Sequence, residues 1–481
     1  KKYLSKKING ILPTEYFSKK IMSNEIKNLL DAIEAFCNEH KMATSTFGRL
    51  SINDGKLVSR LRNGNDVTLK TSKKIRQFIS KKSQSEIKKV SSENTEVVKK
   101  NSNTENSESE KTKRFYDNRQ NYLSFINTTN EKWQIAQRAA KELKYLKPTP
   151  PALKLFDAGM GDATILSHLL RALHRRYPIM PFLVVAKEIS LEDVRISLSK
   201  LSDRFVEHPA TVIVVTNMHY SEAPWLRPKN VDLAAALNWQ NVELDGESSH
   251  QYGEQLRDLS KFLIDGWKVK SSKLTGNPIY IRPSVMVIYR KDHKFLLNDV
   301  IPKPGQVEGN YDFIIASQPW RARVSARIKA KNVLAPLSKA LSSNGRLLGV
   351  QSYGNDPALQ LIHKIWPDEN PFPVDRHKLI KAVKTELGRE SKNYNFLSGS
   401  DEKSLIRYKM HVMSNELEDS IGTSTLFAAW NAAVYVNQIG DDQIEPIIES
   451  NEYLKITAEI LKEYGGLWFN NESFVISKKS T

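Results

Sequence analysis

The residues best suited to chemistry begin with a short turn that follows the apolar stretch Leu153–Phe156. This turn contains two acids and two glycines, Asp157, Gly159, Gly161 and Asp162. A helix-like sequence starts at Thr164, so a buried strand is expected to pass through a turn without bulky side chains into a helix whose first amides carry partial positive charge. Such a turn either lets a ligand approach the backbone or only joins a strand to a helix.

The order acid-x-Gly-x-Gly resembles motif I of the class I S-adenosylmethionine (SAM) methyltransferases and differs from the Gly-x-Gly-x-x-Gly of nicotinamide enzymes. The resemblance implies that Asp157 answers the positive charge of the cofactor's amino acid end. Glu188 follows a second apolar run, where an acid can accept both ribose hydroxyls. Asn217 ends a third run, where the family often carries a residue that reaches the adenine. The predicted cofactor-binding residues are Asp157, Gly159, Gly161, Asp162, Glu188 and Asn217.

A fourth apolar run ends in the tetrad Ser317, Gln318, Pro319 and Trp320. At this point amino-directed methyltransferases carry Asp/Asn/Ser-Pro-Pro-aromatic, in which a polar side chain and a carbonyl oxygen accept the hydrogens of the target amine. The tetrad is similar to that motif, except that Gln318 replaces the first proline. The resemblance makes these four residues the candidate catalytic residues. The alternative is a buried tryptophan beside a turn-forming proline.

Alternating strands and helices are expected to position these residues, a pattern typical of a parallel sheet with helices on both faces. After the tetrad, a helix, the turn Asn344-Gly345 and a strand over 346–351 continue the alternation, and Phe474–Lys478 is predicted as the last strand. The predicted fold class is α/β, with a doubly wound, mostly parallel Rossmann-like methyltransferase sheet. The resemblance covers residues 115–481.

Residues 221–310 are more than a simple crossover needs and are predicted to form an insertion beside the sheet. We expect a helix around Tyr252–Leu263 and a β-hairpin that joins Ile279–Tyr289 to Lys294–Ile301, with its tip at residues 292 and 293. Insertions of this size often carry substrate specificity. Covering the sheet edge is the alternative.

A helix is predicted from Phe115 to Leu146, ahead of the first strand. In class I methyltransferases a helix at this place often covers the cofactor. By this resemblance, Phe115, Tyr116 and Tyr122 are candidates for a lid, and packing against the sheet is the alternative.

Residues 22–82 contain four predicted short helices, including Thr44–Leu50 and Lys56–Arg62. A tight turn between these two helices resembles the helix-turn-helix domains of phage-repressor type. The resemblance implies a small all-α DNA-binding head that contacts DNA through Lys56, Ser59, Arg60 and Arg62, and a homodimer is plausible for such a head. A helical bundle with a solvated basic face and a dimerisation module are the alternatives.

Two flanking segments are predicted to lack a fold. Residues 83–114 contain no aromatic residue, Gly or Pro and cannot bury enough apolar surface to offset chain entropy, so we expect a disordered linker. Residues 1–21 are interpreted either as a basic tail or as an extension upstream of a true start at Met22, and the second interpretation is favoured.

The composition indicates the cellular setting and the kind of binding partner. The net charge is +18, and residues 1–82 hold 18 Lys and Arg against 7 Asp and Glu, which favours a polyanionic partner. Cys37 is the only cysteine, so disulfides and thiolate zinc sites are excluded and a cytoplasmic setting is expected. No apolar run approaches the roughly 18 residues of a membrane helix. His219, His250 and His293 occur singly, and no metal site is predicted.

Three functions are compatible with these patterns. The first is a SAM-dependent methyltransferase coupled to a DNA-binding head, with nucleic acid as the favoured acceptor. The second is a transcriptional regulator whose methyltransferase-like domain senses SAM without catalysis. The third is a methyltransferase that acts on a small molecule or a lipid.

Overall fold

The computed structural model describes residues 29–37, 42–52, 54, 57–62, 71–72, 74–75, 78–79, 119–272, 277–411 and 421–480. They belong to two units, Lys1–Ser109 and Glu110–Thr481. The predicted tail 1–21 and linker 83–114 lie outside the described residues and remain predictions. Within the described ranges, no helix combines the length and the apolar character needed to cross a membrane.

The second unit alternates strands and helices along its length. Its described strands are β1 Leu153–Asp157, β2 Phe182–Lys187, β3 Thr211–Thr216, β4 Asn238–Leu244, β5 Val269–Ser271, β6 Pro278–Tyr280, β7 Ser284–Arg290, β8 Tyr311–Ser317, β9 Leu341–Ser352, β10 Tyr394–Leu397, β11 Leu405–Lys409 and β12 Trp468–Lys478. Its described α-helices are Arg119–Thr128, Glu131–Ala140, Thr164–Arg176, Leu191–Glu207, Val231–Ala235, Ser249–Arg257, Ser260–Gly266, Ala326–Lys329, Ala335–Lys339, Pro357–Ile365, Arg376–Leu387, Asp401–Ser404, Thr423–Val436, Asp441–Ser450 and Glu452–Tyr464.

One large sheet has the strand order β10-β12-β9-β8-β1-β2-β3-β7-β4, with β11 also paired to β12. Strands β3, β2, β1, β8 and β9 are parallel, and β12 is antiparallel to β9. Successive residues of β1 face opposite sides, so Leu155 packs among helices on one face and Phe156 among helices on the other. The predicted α/β class, with a doubly wound and mostly parallel sheet, is confirmed.

The predicted hairpin within residues 221–310 is wrong. Strand β7 pairs antiparallel with β3 and parallel with β4, so it belongs to the main sheet. Residues 291–293 form a helical turn, and residues 294–301 contain no strand. The two neighbours in the sheet already satisfy the backbone of β7, which leaves no need for a hairpin partner. Strand β4 was not predicted, because its polar sequence is typical of an edge strand.

A third apolar cluster lies beside β11 and β12 and connects the start of the unit to its end. Phe125, from the helix Arg119–Thr128, packs there with Ala429 and Trp430 of the helix Thr423–Val436. The single helix predicted over 115–146 is broken within the described residues, with helices at 119–128 and 131–140 and a short helical turn at 143–145. The break places Glu131 at the first turn of a helix.

In the first unit, residues 29–37 are helical and are followed by the helices Thr44–Ile52 and Leu57–Arg62. Gly48 and Asp54 approach each other closely, because a Cβ at Gly48 would lie 2.2 Å from the Asp54 carbonyl oxygen. Phe36, Phe47 and Phe78 pack edge to face in the small core. The two predicted helices that flank the turn are therefore present.

Candidate functional site

The carboxyl ends of β1, β2, β3 and β8 meet at one edge of the sheet. Asp157, the last residue of β1, is in register with Ala186 of β2 and Ile315 of β8. Parallel α/β sheets bind ligands at this edge. We call the part of this edge around Asp157, Gly159 and Glu188 the edge crevice.

Gly159 faces open space, because a Cβ built at this position has no neighbouring atom within 4 Å. Its φ lies outside the left-handed region, so neither backbone strain nor packing requires a glycine there. Gly161 differs, since its φ of +53° favours glycine and a Cβ would lie 3.1 Å from the Tyr122 hydroxyl. The turn therefore leaves a hollow beside Gly159, and Tyr122, one of the three predicted lid residues, lies close to Gly161.

The Asp157 carboxyl is 2% exposed and accepts a hydrogen bond from the Gly159 amide at 3.2 Å. Burial raises the pKa of Asp157 to about 7; the Gly159 amide and the Lys132 ammonium lower this pKa, and the Glu188 carboxylate raises it. Within the described ranges, no cationic side chain lies close enough to this carboxyl group to form a direct ion pair. A buried carboxylate of this kind favours a cationic ligand.

The Glu188 carboxylate joins the ends of β1 and β2. Its Oε2 accepts from the Gly161 amide at 2.9 Å, and its Oε1 accepts from the amides of Ile189 and Ser190 at 2.7 and 2.9 Å. Burial raises the pKa of Glu188, and these amides lower it. An ionised carboxylate has about four acceptor positions, so three amide bonds leave capacity for a hydroxyl.

Asp162 and Asn217, two further predicted cofactor-binding residues, form hydrogen bonds within the protein. Asp162 accepts from the Thr164 hydroxyl at 2.6 Å and from Lys200 Nζ at 2.5 Å, which fixes the start of the helix after the turn. The Asn217 amide nitrogen donates to two backbone carbonyl oxygens, and its oxygen accepts from the Ser284 amide at 2.9 Å. Both side chains hold loops together, and the Asn217 oxygen keeps one lone pair beyond its bond from Ser284, so its adenine contact stays a prediction.

The candidate catalytic tetrad follows β8 at the same edge. Gln318 has a φ of +48°, a strained value for a residue with a side chain. The side-chain amide nitrogen of Gln318 donates to Glu131 Oε1 at 2.6 Å and to Asn471 Oδ1 at 3.3 Å. The side-chain carbonyl oxygen of Gln318 has no hydrogen-bond partner within the described part of the chain, so it is available to accept a hydrogen bond. The Pro319 carbonyl oxygen accepts from the Tyr220 hydroxyl at 3.0 Å.

Trp320 belongs to a buried polar network that we call the edge cluster. This cluster comprises Trp320, Lys329, Gln351, Arg376 and Glu472. Trp320 Nε1 and Lys329 Nζ each donate to Gln351 Oε1 at 3.3 Å, and Gln351 donates in turn to Glu472 Oε1 at 2.8 Å. Arg376 Nη1 lies 3.2 Å from Glu472 Oε2. Burial lowers the pKa of Lys329 to about 8.

Several residues at this edge were not predicted from the sequence. Glu131 and Asn471 hold Gln318 although they are 340 positions apart in the chain, and Lys132 lies close enough to Asp157 to lower its pKa. Tyr220 connects the end of β3 to the tetrad. No local motif marks any of them, because only the sheet topology brings them together.

The predicted DNA-contact residues are only partly described. Lys56 lies outside the described residues, as do the side chains of Ser59 and Arg60. The Arg62 guanidinium donates through Nε and Nη2 to Glu34 Oε1 at 2.9 and 2.7 Å, so a phosphate would compete with Glu34 for it. Among the described residues, no group of three or more His, Cys, Asp or Glu side chains is arranged to hold a metal ion.

No family model and no curated protein matches the sequence. Solved methyltransferase structures align with most of the chain at low similarity. A chain described as a sarcosine dimethylglycine methyltransferase from Galdieria sulphuraria is 9% identical, with 72% of this chain and 86% of that chain covered and a TM-score of 0.30. A geranyl diphosphate methyltransferase is 11% identical, with 71% and 77% covered and a TM-score of 0.25. For phosphoethanolamine N-methyltransferase 2 from Haemonchus contortus the identity is 8%, the coverage 77% and 61%, and the TM-score 0.27.

Similarities of this size do not define a site. The strand order stands on its own geometry and gives this unit a mostly parallel α/β sheet.

Proposed function

We propose that the second unit binds SAM in the edge crevice and transfers its methyl group. The observation that carries this proposal is the hollow at Gly159, where the chain itself gives no reason for the missing side chain. A ligand that approaches the backbone supplies that reason. The acid on each side of the hollow matches the two polar ends of the cofactor.

Each residue of the crevice has a role in this proposal. Asp157 binds the ammonium of the amino acid end, because its buried carboxylate forms no ion pair with hydrogen-bond contact within the described ranges. Glu188 binds a ribose hydroxyl through its remaining acceptor position. The backbone at Gly159 and Gly161 bounds the hollow between them. SAM, when bound, supplies a methyl group already activated by its sulfonium, so the protein has mainly to align the acceptor.

The tetrad provides a place for the acceptor in this scheme. The side-chain carbonyl oxygen of Gln318 has no hydrogen-bond partner among the described residues, and in this scheme it accepts a hydrogen bond from the target group. Glu131 and Asn471 hold the amide nitrogen of the same side chain in place. Tyr220 fixes the Pro319 carbonyl oxygen beside it. No group at this edge is required to act as a strong base, provided that the target arrives unprotonated.

We further propose that the first unit is a DNA-binding head and that nucleic acid is the acceptor. The support is the basic composition of residues 1–82 and the pair of short helices, Thr44–Ile52 and Leu57–Arg62, with Gly48 close to Asp54.

A second candidate function is a regulator that senses SAM without catalysis. The bonds of Gln318 to Glu131 and Asn471 favour it, because they hold the tetrad in a network that a catalytic site would have to open. Methylation of a small molecule or a lipid is the third candidate.

Transfer of a labelled methyl group separates these candidates. The full-length protein is incubated with methyl-labelled SAM and, separately, with DNA, RNA, phospholipid vesicles or small amines, and Asp157→Asn is the matched control. We expect label in nucleic acid with the parent and little with the variant. Label only in lipid or small amines supports the third candidate, and SAM binding without any transfer supports the sensor. No binding of SAM contradicts all three.

A further inference from the structure

A second cavity lies away from the edge crevice, in the same unit. Its volume is 720 Å³, and none of the predicted cofactor or tetrad residues lines it. Its lining comes from the segment after β3, residues 305 and 307 before β8, the helical segments that precede β9, and Glu386 of the helix Arg376–Leu387. A volume of this size is typical of sites for small organic ligands, roughly 300–1,000 Å³. We call it the basic groove.

The basic groove has a marked excess of positive charge. Its charged lining residues are Arg227, Lys229, Lys331, Lys339 and Glu386. Lys339 pairs with Glu390 at 3.1 Å. Within the described ranges, Arg227, Lys229 and Lys331 form no ion pair. Three exposed cations directed to one cavity without carboxylate partners repel each other, and an anionic ligand relieves that repulsion.

A buried carboxylate fixes the loop that carries two of these cations. Glu222 Oε1 accepts from the backbone amide of Lys229 at 2.9 Å, and its Oε2 accepts from the Tyr280 hydroxyl at 2.8 Å. Leu226, inside the same loop, is buried and has a φ of +46°. The loop is therefore held in one conformation through its backbone, which leaves the charged ends of the side chains unbonded.

The remaining lining is apolar and includes one aromatic ring. Trp225 stands against Gly309, where a Cβ would lie 2.7 Å from the indole. Val231 is 82% exposed at the groove. An aromatic ring beside cations is the combination that binds a base and its phosphate, since bases stack on indole rings and guanidinium groups bind phosphate through two hydrogen bonds.

We propose that the basic groove binds nucleotide phosphates, with the phosphate between Arg227 and Lys331 and the base beside Trp225. The ligand is either a free mononucleotide or one nucleotide of a single strand. The proposal does not depend on SAM binding, because it rests on residues outside the edge crevice.

Calorimetric titration of the full-length protein with uridine 5′-monophosphate tests the proposal, and this probe is chosen because it lacks the adenine of SAM. The variant Arg227→Glu/Lys331→Glu is compared with Lys455→Glu/Lys462→Glu, which changes the net charge equally on the exposed side of the helix Glu452–Tyr464. We expect the groove variant to bind the nucleotide at least about tenfold more weakly than the parent, and the control variant to lose less than about twofold. The reason is that glutamates in the groove repel the phosphate, whereas the effect of exposed charges is screened beyond a Debye length of roughly 10 Å. Thermal unfolding monitors folding in both.

A further variant and a further ligand sharpen the result. Trp225→Ala is expected to weaken binding of the nucleotide but not that of inorganic phosphate, and Trp225→Phe is expected to restore part of it. Competition with an eight-nucleotide single strand identifies the source: tighter binding of the strand indicates a nucleic acid, and equal binding per nucleotide indicates a mononucleotide. Equal losses in the groove variant and the control, or no binding by the parent, would overturn the proposal.

Discussion

The turn after β1 and the edge after β8 lie at the same end of the sheet but differ in how their polar groups are satisfied. At the turn, Asp157 is buried with a single hydrogen bond from Gly159, and the space next to it is open. In the edge cluster, Lys329, Gln351 and Glu472 form a network of direct bonds. The first region combines a buried carboxyl group with open space, whereas the second is satisfied by its own side chains.

This difference separates binding from stability. A substitution of Asp157 or Gly159 is expected to change ligand affinity while the fold is preserved, because Asp157 accepts a single hydrogen bond and Gly159 faces open space. A substitution in the edge cluster is expected to change stability first, because it leaves a buried polar group without its partner.

The largest expected effect is on stability, in the edge cluster. Arg376→Met should lower the free energy of unfolding by about 3–5 kcal/mol, because Glu472 is fully buried and loses its cation. Urea denaturation measures the change. The double variant Arg376→Met/Glu472→Gln should recover at least half of it. A loss below about 1 kcal/mol in the single variant would show that the pair is not an essential part of the network.

The next effect is on affinity, at the turn. Asp157→Asn should weaken SAM binding by about 1.5–3 kcal/mol, or roughly 10-fold to 150-fold, because the amide cannot form a charge-assisted bond with the ammonium. Calorimetric titration at pH 7.5 measures it. Stability at pH 8 should rise rather than fall, since the variant avoids a buried ionised acid. Unchanged affinity would remove Asp157 from the site.

A smaller effect is expected with pH. Burial raises the pKa of Asp157 from 3.8 to about 7, so the folded protein keeps a proton that the unfolded chain has lost. The stability that this proton provides is present below about pH 4 and is lost as the pH rises toward 7. SAM affinity should show the opposite trend and rise roughly threefold to tenfold between pH 6 and 7.5, as Asp157 becomes ionised. The affinity of Asp157→Asn should stay flat over this range.

The smallest effect concerns the hydrogen bond that joins the segment after β3 to the tetrad. Tyr220→Phe removes the hydroxyl that donates to the Pro319 carbonyl oxygen and should lower the free energy of unfolding by about 1 kcal/mol. SAM affinity should change less than about threefold, because this bond lies on the acceptor side. A loss of affinity as large as that of Asp157→Asn would mean that the two regions are not separable in this way.

The turn could be predicted from the sequence because its signal is local. Asp157, Gly159 and Gly161 follow one strand, and the parallel arrangement then places Glu188 at the same edge. The alternation of strands and helices also predicted the central part of the sheet correctly.

The features of the fold and the site that could not be predicted from the sequence depend on contacts between distant segments. The roles of Glu131 and Asn471 follow from a helix and a strand that meet only after the sheet has formed. The hairpin prediction failed because the apolar pattern of β7 fits a central strand as well as a hairpin arm, and only the presence of β4 distinguishes them. The engagement of Asn217 by backbone groups also has no local signal.

The most direct test of the SAM site is a pair of glycine substitutions measured by calorimetric titration with SAM. Gly159→Ala adds a methyl group to the open hollow, and Gly253→Ala adds one in a helix where the nearest atoms are 4.0 Å away. Both should fold normally. We predict that Gly159→Ala loses at least about tenfold in affinity, that Gly159→Val loses binding altogether and that Gly253→Ala binds like the parent. Equal affinity of the parent and Gly159→Val would contradict a cofactor at this turn.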